Sequence, residues 1–455
     1  MHPSRPGTLL IGLTLIGASS FVASPATASR TANAVLTYSS AALLTAPRVT
    51  IVTFVDPAKP IRAGAYTKGA FAPSAPNLAG AITASLSGSY ATWWQAEYST
   101  SAYALGAGGY AGSVVIDNPE LANASVVNDA AVENALVAGG VSGTLVTGAN
   151  VIDVVVTRKG QRVTDGVNGN SQSQFCAYHG LLANGNTFVV LPNQDANFDC
   201  QRGTAFDTMT SLVSHELVET VTDPDGVSGW TDPSRDAGEI ADVCEPLTQF
   251  VAAPGAPSGY LMSTLWSNLD HACHTSALRA TLHATYATGN LTISLTSSGV
   301  PVAGAAVVVT LAGTSYPLTT NTAGTAVLAN ATVNSSPVSI VFAGNGLVAP
   351  ITLATSASVP GARGATSTPV FPPGFSVQIQ PTVNAPGRKI VVVVYTTLLE
   401  AGVSVRLSGN GHNSVATSDA SGRVVFQITA PMQLRTYVAW AVGSSNRSSD
   451  RRVIA

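Results

Sequence analysis

Two stretches of this chain recur at a constant offset of 98 residues: AGAAVVVTLAG from Ala303 returns as AGVSVRLSG from Ala401, and TNTAGTAVL around Gly324 returns as SDASGRVVF around Gly422. A unit of that size is a small β-domain, not a solenoid repeat. Within and beside the two copies, NLTISLTSSG, AAVVVTLAG, KIVVVVYTTL and GRVVFQITA set β-branched residues between Gly, Asn and Ser turns. Such short runs read as strands, and no helical period interrupts them between about residues 280 and 455. The pattern predicts two all-β sandwiches, over 280–357 and 375–455, joined by the Pro/Gly/Thr-rich linker SVPGARGATSTPVFPPG at 358–374.

The preceding residues have a different texture. SVVNDAAVENALVAG from Ser125 has helical spacing, VIDVVV from Val151 and TFVVLP from Thr187 read as strands, and FDTMTSLVSHELVETVT from Phe206 carries the strongest helical period, closed by Pro224. Mixed elements of this kind predict an α/β domain over 31–276. Ahead of it, Arg5, an apolar run from Thr8 to Ala23 and Ala26-Thr27-Ala28 form the pattern of a cleaved signal peptide at 1–28. No later stretch is long and apolar enough to span a bilayer, so the expected mature chain has no membrane span and is secreted to the extracellular space or cell surface. In an oxidising compartment the four cysteines suggest two disulfides. Sequential pairing, Cys176–Cys200 and Cys244–Cys273, closes the shortest loops.

Charge divides the chain. From Ala277 onward there are 3 acidic and 10 basic residues, and before it 21 acidic and 11 basic. The basic residues are scattered and not interleaved with aromatics, which argues against a nucleic-acid partner. The acids concentrate instead. Between His215 and Glu245 lie 9 carboxylates against one arginine, Arg235. Like charges in a folded segment repel unless they are solvated, protonated or bound to a cation.

SHELVETVTDP at 214–224 starts that segment. On a helix His215, Glu216 and Glu219 share one face, while Met209, Val213, Leu217 and Val221 gather on the other. The motif is one residue from the zinc-peptidase form H-E-x-x-H, with Glu219 in place of the second histidine. Glu239 follows Glu219 by 20 residues, and Asp242 comes one turn later in EIAD. That spacing resembles thermolysin-like zinc peptidases, whose third ligand is a glutamate on a second helix. It yields a site of His215, Glu219 and Glu239, with Glu216 as general base toward water and Asp242 as the support of His215. Asp225, ten residues after His215, is the alternative third ligand. Zinc is the expected metal. A carboxylate in place of imidazole weakens zinc selectivity, so calcium and manganese stay open. His179 beside Cys176 could polarise a substrate carbonyl or simply pack. His271 and His274 could reach the metal, and Trp93, Trp94, Trp230 and Trp266 could line a groove.

Taken in order, YATWWQAEYST, QFCAYHG, SHELVETVTDP, GW at 229–230, GEIADVCE and LWSNLDHAC resemble the EXORDIUM-like, or phosphate-induced, secreted proteins. Those proteins carry HELxE, E-I-x-D-x-C and a closing W-S-x-x-x-x-A-C. The glycine run that plant members carry after E-I-x-D-x-C is replaced here by APGAPSGY. GVPVAGAAVVVTLAG resembles bacterial immunoglobulin-like modules, which act as spacers or adhesive units. The resemblance implies a cell-wall or matrix-associated protein and makes HExxE a normal form of the motif. The expected fold is thus a mixed α/β, zincin-like N-terminal domain followed by two immunoglobulin-like sandwiches. The expected function is metal-dependent, peptidase-like hydrolysis of an extracellular protein, peptide or cell-wall polymer. The alternative is a non-catalytic matrix or adhesion protein with a structural cation site, and a glycan-active enzyme is a thinner third reading.

Overall fold

The computed structural model describes residues 34–355, except 60, 62–63, 165–168, 172–173, 196–199, 236–237 and 332–337, and a set of strands between 363 and 452. The expected signal peptide at 1–28 lies outside the described residues, as does the linker at 358–374 apart from Arg363–Gly364.

The N-terminal domain is built on a five-stranded sheet of β1 (Arg48–Val55), β2 (Gly109–Asp117), β3 (Val151–Val156), β4 (Tyr178–Leu181) and β5 (Thr187–Leu191), in spatial order β2-β1-β3-β5-β4. Four strands run parallel, and only the edge strand β4 pairs antiparallel, with β5. The central run VIDVVV is buried at every position, as expected of a parallel strand covered on both faces. One face packs against α1 (Leu78–Leu86), α2 (Gly88–Tyr98) and α4 (Ala205–Thr222). The other covers α3 (Asp129–Val141) through Val132 and Leu136. α3 starts later than its spacing suggests, because Val126–Asn128 forms a short strand paired with Arg162–Thr164.

After α4 the chain makes a 3-10 turn at Asp242–Cys244, a hairpin of β6 (Thr248–Ala253) and β7 (Ala256–Ser263), and a second pairing of β8 (Leu265–Ser267) with β9 (Ala272–His274). Both expected disulfides are present, Cys176–Cys200 and Cys244–Cys273. Trp93, Trp94 and Trp266 are completely buried and serve the core, not a groove. Trp230 is half-buried and donates its indole N–H to the Tyr98 carbonyl at 2.8 Å.

The first sandwich comprises β10 (Ala280–Ala287), β11 (Asn290–Ser297), β12 (Val300–Pro301), β13 (Ala306–Leu311), β14 (Thr314–Thr319), β15 (Thr325–Leu328), β16 (Val338–Phe342) and β17 (Ile351–Thr355). One sheet runs β12-β11-β10 with β15 also on β11, and the other runs β14-β13-β16-β17. Leu291, Ile293 and Leu295 on one sheet and Val307, Val309 and Leu311 on the other are buried at alternate positions, which makes the two inner faces. Beyond residue 375 the repeat persists as two sheets, one of Val377–Pro381, Lys389–Thr396 and Arg423–Thr429. The other holds Ser404–Gly409, His412–Thr417, Arg435–Ala441 and Ser448–Arg452. Ser404 sits 98 residues after Ala306, and the strand order of the second sheet repeats that of β14-β13-β16-β17. No helix among the described residues is long and apolar enough to cross a membrane.

Candidate metal centre

Helix α4 begins with a capping box, in which the Thr204 hydroxyl accepts from the Asp207 N–H at 3.1 Å and the Asp207 carboxylate accepts from the Thr204 N–H at 3.0 Å. From Thr208 to Thr222 every residue is buried. The sequence suggests one packed face and one open one. In the structure the polar face is covered as well: β4 brings His179 against Glu216, and the segment around Glu239–Asp242 gives backbone N–H groups to Glu219.

Four carboxylates and two imidazoles meet there: His179, His215, Glu216, Glu219, Glu239 and Asp242, none more than 4% exposed. His215 Nε2 lies 3.0 Å from Glu219 Oε2, one helical turn away, and 3.1 Å from Asp242 Oδ1. Glu219 Oε1 accepts the backbone N–H groups of Ala241 at 3.2 Å and Asp242 at 3.0 Å, which ties the helix to the 3-10 turn. His179, on β4, lies 3.2 Å from Glu216 Oε2 through Nδ1. Its Nε2 is 3.0 Å from the Asp223 carbonyl and 3.4 Å from Glu239 Oε1.

Burial, followed by repulsion from Asp242, holds the Glu219 carboxyl above its ordinary range. Burial and the nearby Glu219 raise Glu239 well above it. Burial works against a charged His179, but Glu239 and Glu216 outweigh it and bring the imidazole to about 10. For His215, Glu219 and Asp242 likewise overcome burial and lift it well above the usual value.

The donor set fits a divalent cation. Among the described residues, Glu216 Oε1 is buried and receives no hydrogen bond, and Glu219 Oε2 and Glu239 Oε1 have only the imidazoles of His215, at 3.0 Å, and His179, at 3.4 Å, beside them. Buried carboxylate oxygens in this condition are costly unless a cation meets them. Ligand atoms within 4.8 Å of one another fall into two triplets, His179–Glu219–Glu239 and His215–Glu216–Glu219. Mixed nitrogen and oxygen donors suit zinc, and the carboxylate excess also suits manganese or calcium.

The sequence-derived residues are thus distributed as follows. His215, Glu216, Glu219 and Glu239 converge. Asp242 converges too, but it approaches the same nitrogen as Glu219, and the Nδ1 side of His215 faces Ser263 Oγ at 3.3 Å. Glu239 precedes a three-residue 3-10 turn instead of lying on a second helix, and Pro246 stops that turn from growing. Asp225, the alternative ligand, is turned into the loop after α4, where Oδ1 accepts the N–H groups of Val227 at 3.1 Å and Ser228 at 2.9 Å. Its Oδ2 accepts the Ser228 hydroxyl at 2.5 Å. His274 is paired with Asp270 at 2.9 Å, and the His271 ring lies 6.0 Å from that of Trp266. Asp232 binds Arg235 at 2.7 Å and Glu245 binds Arg202 at 3.0 Å, so part of the acidic segment has ordinary partners. Asp236 lies outside the described residues. The place of His179 in the cluster was not legible from its spacing.

No family model matches the chain, and no curated protein matches it. Among solved structures, a central fibronectin-III array of RIM-binding protein is 10% identical, with 39% of this chain and 62% of that one covered and a TM-score of 0.14. A Parabacteroides merdae β-glucuronidase is 10% identical over 38% of this chain and 24% of its own, at a TM-score of 0.15. A Ca2+-stabilized adhesin with which an Antarctic bacterium binds ice is 16% identical over 48% of this chain and 59% of its own, at 0.15. The chain therefore spans less than two thirds of each, and at such TM-scores the likenesses carry no functional argument.

Proposed function

We propose that residues 31–276 are a zincin-like, EXORDIUM-like metal-dependent hydrolase domain, and that the protein acts on peptide bonds of an extracellular protein, peptide or cell-wall polymer. The carrying observation is the state of Glu216. One of its oxygens is held by His179, and the other is buried without a hydrogen bond, beside His215 and Glu219. A carboxylate placed in that way can take a proton from water. His215, Glu219 and Glu239 would hold the ion, which when bound supplies a Lewis acid for a scissile carbonyl. The sandwiches would serve as spacers or adhesive units, and the two disulfides and the absence of an apolar spanning helix among the described residues accord with a secreted protein.

One observation favours a second reading. The cluster is enclosed, with Glu216 only 1% exposed. A matrix or adhesion protein with a structural cation needs no substrate path, whereas hydrolysis requires the enclosure to open. Metal content of the purified mature protein, measured beside a Glu239→Ala variant, tests the centre: about one zinc per chain, lost in the variant, is expected. Glu216→Gln then separates the readings. Hydrolysis predicts that it retains metal and loses at least a hundredfold in turnover of a peptide library. If no activity exists to lose while metal removal lowers stability, the structural reading stands.

A further inference from the structure

The motif on α4 lacks the second histidine of H-E-x-x-H, and the enclosure contains a histidine from elsewhere. Glu219 is the one residue common to the two ligand triplets, with His215 in one and His179 in the other. Glu219 therefore has an imidazole within reach on two sides, His215 from α4 and His179 from edge strand β4. We propose that His179 is a metal ligand, and that the centre is a two-histidine, two-glutamate site of His179, His215, Glu219 and Glu239. This rests on the metal-centre reading above and replaces its one-histidine ligand set.

The spacing is compatible within each triplet; the four donors form two groups and not one, so a shared ion would draw them together. Donors around one four-coordinate ion with bonds near 2.0–2.2 Å lie about 3.5 Å apart. His179 Nε2 is 3.4 Å from Glu239 Oε1, and His215 Nε2 is 3.0 Å from Glu219 Oε2; ligation through His179 Nε2 would take that nitrogen from the Asp223 carbonyl, which it meets at 3.0 Å. Apart from these imidazole contacts, both of those carboxylate oxygens are buried without a hydrogen bond among the described residues. Charge agrees as well. Two glutamates cancel a divalent ion, two imidazoles that give up their protons to it add nothing, and Glu216 keeps its carboxylate for another role. The four cysteines are excluded as donors because all are in disulfides.

The ligand set also bears on selectivity. With one imidazole and two carboxylates zinc selectivity is weakened, and a second nitrogen donor strengthens the preference for zinc. β4 is the position from which a histidine can reach α4, since its register places His179 opposite Val189 near the strand centre. The disulfide Cys176–Cys200 holds the chain three residues earlier.

The test is X-ray absorption on the full mature chain loaded with zinc alone, counting imidazoles in the outer-shell scattering, beside zinc titrations of His179→Gln and His215→Gln. Two imidazoles per zinc are expected, with affinity falling at least tenfold in each variant while near-ultraviolet circular dichroism stays native. One imidazole, or a His179→Gln protein of unchanged affinity, overturns the assignment and leaves the metal centre intact. A wild-type chain that takes up no metal overturns the metal-centre reading itself. The scattering measurement needs no variant, so a misfolded substitution does not obscure the answer.

Discussion

Two single positions show how tightly the neighbourhood of the centre is drawn. Asp223 caps α4 and gathers the following loop, its Oδ1 accepting N–H groups from Val227, Ser228 and Gly229, the last at 2.8 Å. Gly229 has to come so close that a Cβ there would lie 2.1 Å from the Thr222 carbonyl oxygen and 2.4 Å from Asp223 Cα. Both neighbours are backbone and cannot swing away. Gly229→Ala is expected to destabilise the folded protein by about 3 kcal/mol, at the upper end of overpacking costs. Thermal unfolding checks this, and an unchanged midpoint would mean the loop relaxes freely. Glu97 is a different kind of residue. Burial, only partly offset by hydrogen bonds from Ser267 and Leu269, raises its carboxyl from 4.5 to about 7. A raised pKa means that the folded state prefers the protonated form. Its contribution to stability is complete below the unfolded value of 4.5 and is lost as pH rises through about 7. Glu97→Gln should abolish that loss, so the variant gains about 3 kcal/mol on the wild type between pH 4 and pH 8. Denaturant titrations at both pH values give the difference directly.

Elements differ in how much of themselves a sequence can announce. Helix α4 was legible because an 18-residue segment repeats its apolar positions over five turns, and Pro224 follows its end. The five acidic and imidazole residues that its motif and the downstream EIAD brought forward do meet. β4 was not legible in the same way: four residues hold no measurable period, and His179 gains its place only through antiparallel pairing with β5. The face on which Asp242 approaches His215 was equally hidden, because it depends on how a short 3-10 turn is tied to Glu219. The same turn is anchored by Cys244–Cys273, which closes a separation of 29 residues. Replacing both cysteines by serine should cost about 3–4 kcal/mol by loop-closure entropy. On the proposed metal reading the loss should also weaken zinc binding, since the turn that carries Asp242 and follows Glu239 would no longer be fixed. Denaturant unfolding and zinc titration of the double variant together check it; lowered stability with unchanged zinc affinity would show that Glu219 alone holds the turn.

At the scale of the whole chain, the helix that carries the cluster shares its buried core with part of the β-structure and not with all of it. The buried core that contains Leu212, Val213 and Leu217 of α4 runs on without a break into Leu282, Leu291 and Ile293 of the first sandwich. Leu278 joins the two through backbone hydrogen bonds, donating to the Leu347 carbonyl at 2.8 Å and accepting from Ala349 at 2.7 Å. Asp270, near the end of the N-terminal domain, accepts the Ser298 hydroxyl at 2.8 Å. The strands at Ser404–Gly409 and His412–Thr417 belong to a separate sheet, with Val405 and Leu407 buried outside that core. A ligand that binds only the folded form stabilises what unfolds with its site, by about 2.7 kcal/mol at a hundredfold excess over the dissociation constant. If the cluster holds the proposed ion, removing it with a chelator should therefore raise hydrogen exchange in α4 and also in β11 and β13 of the first sandwich. Exchange at Ser404–Gly409 should not change. Exchange measured by mass spectrometry, with and without chelator and with zinc restored, distinguishes the outcomes. If α4 alone responds, the shared core does not unfold cooperatively and the first sandwich is only tethered. If all three regions respond, cooperativity passes through the linker and the chain unfolds as one.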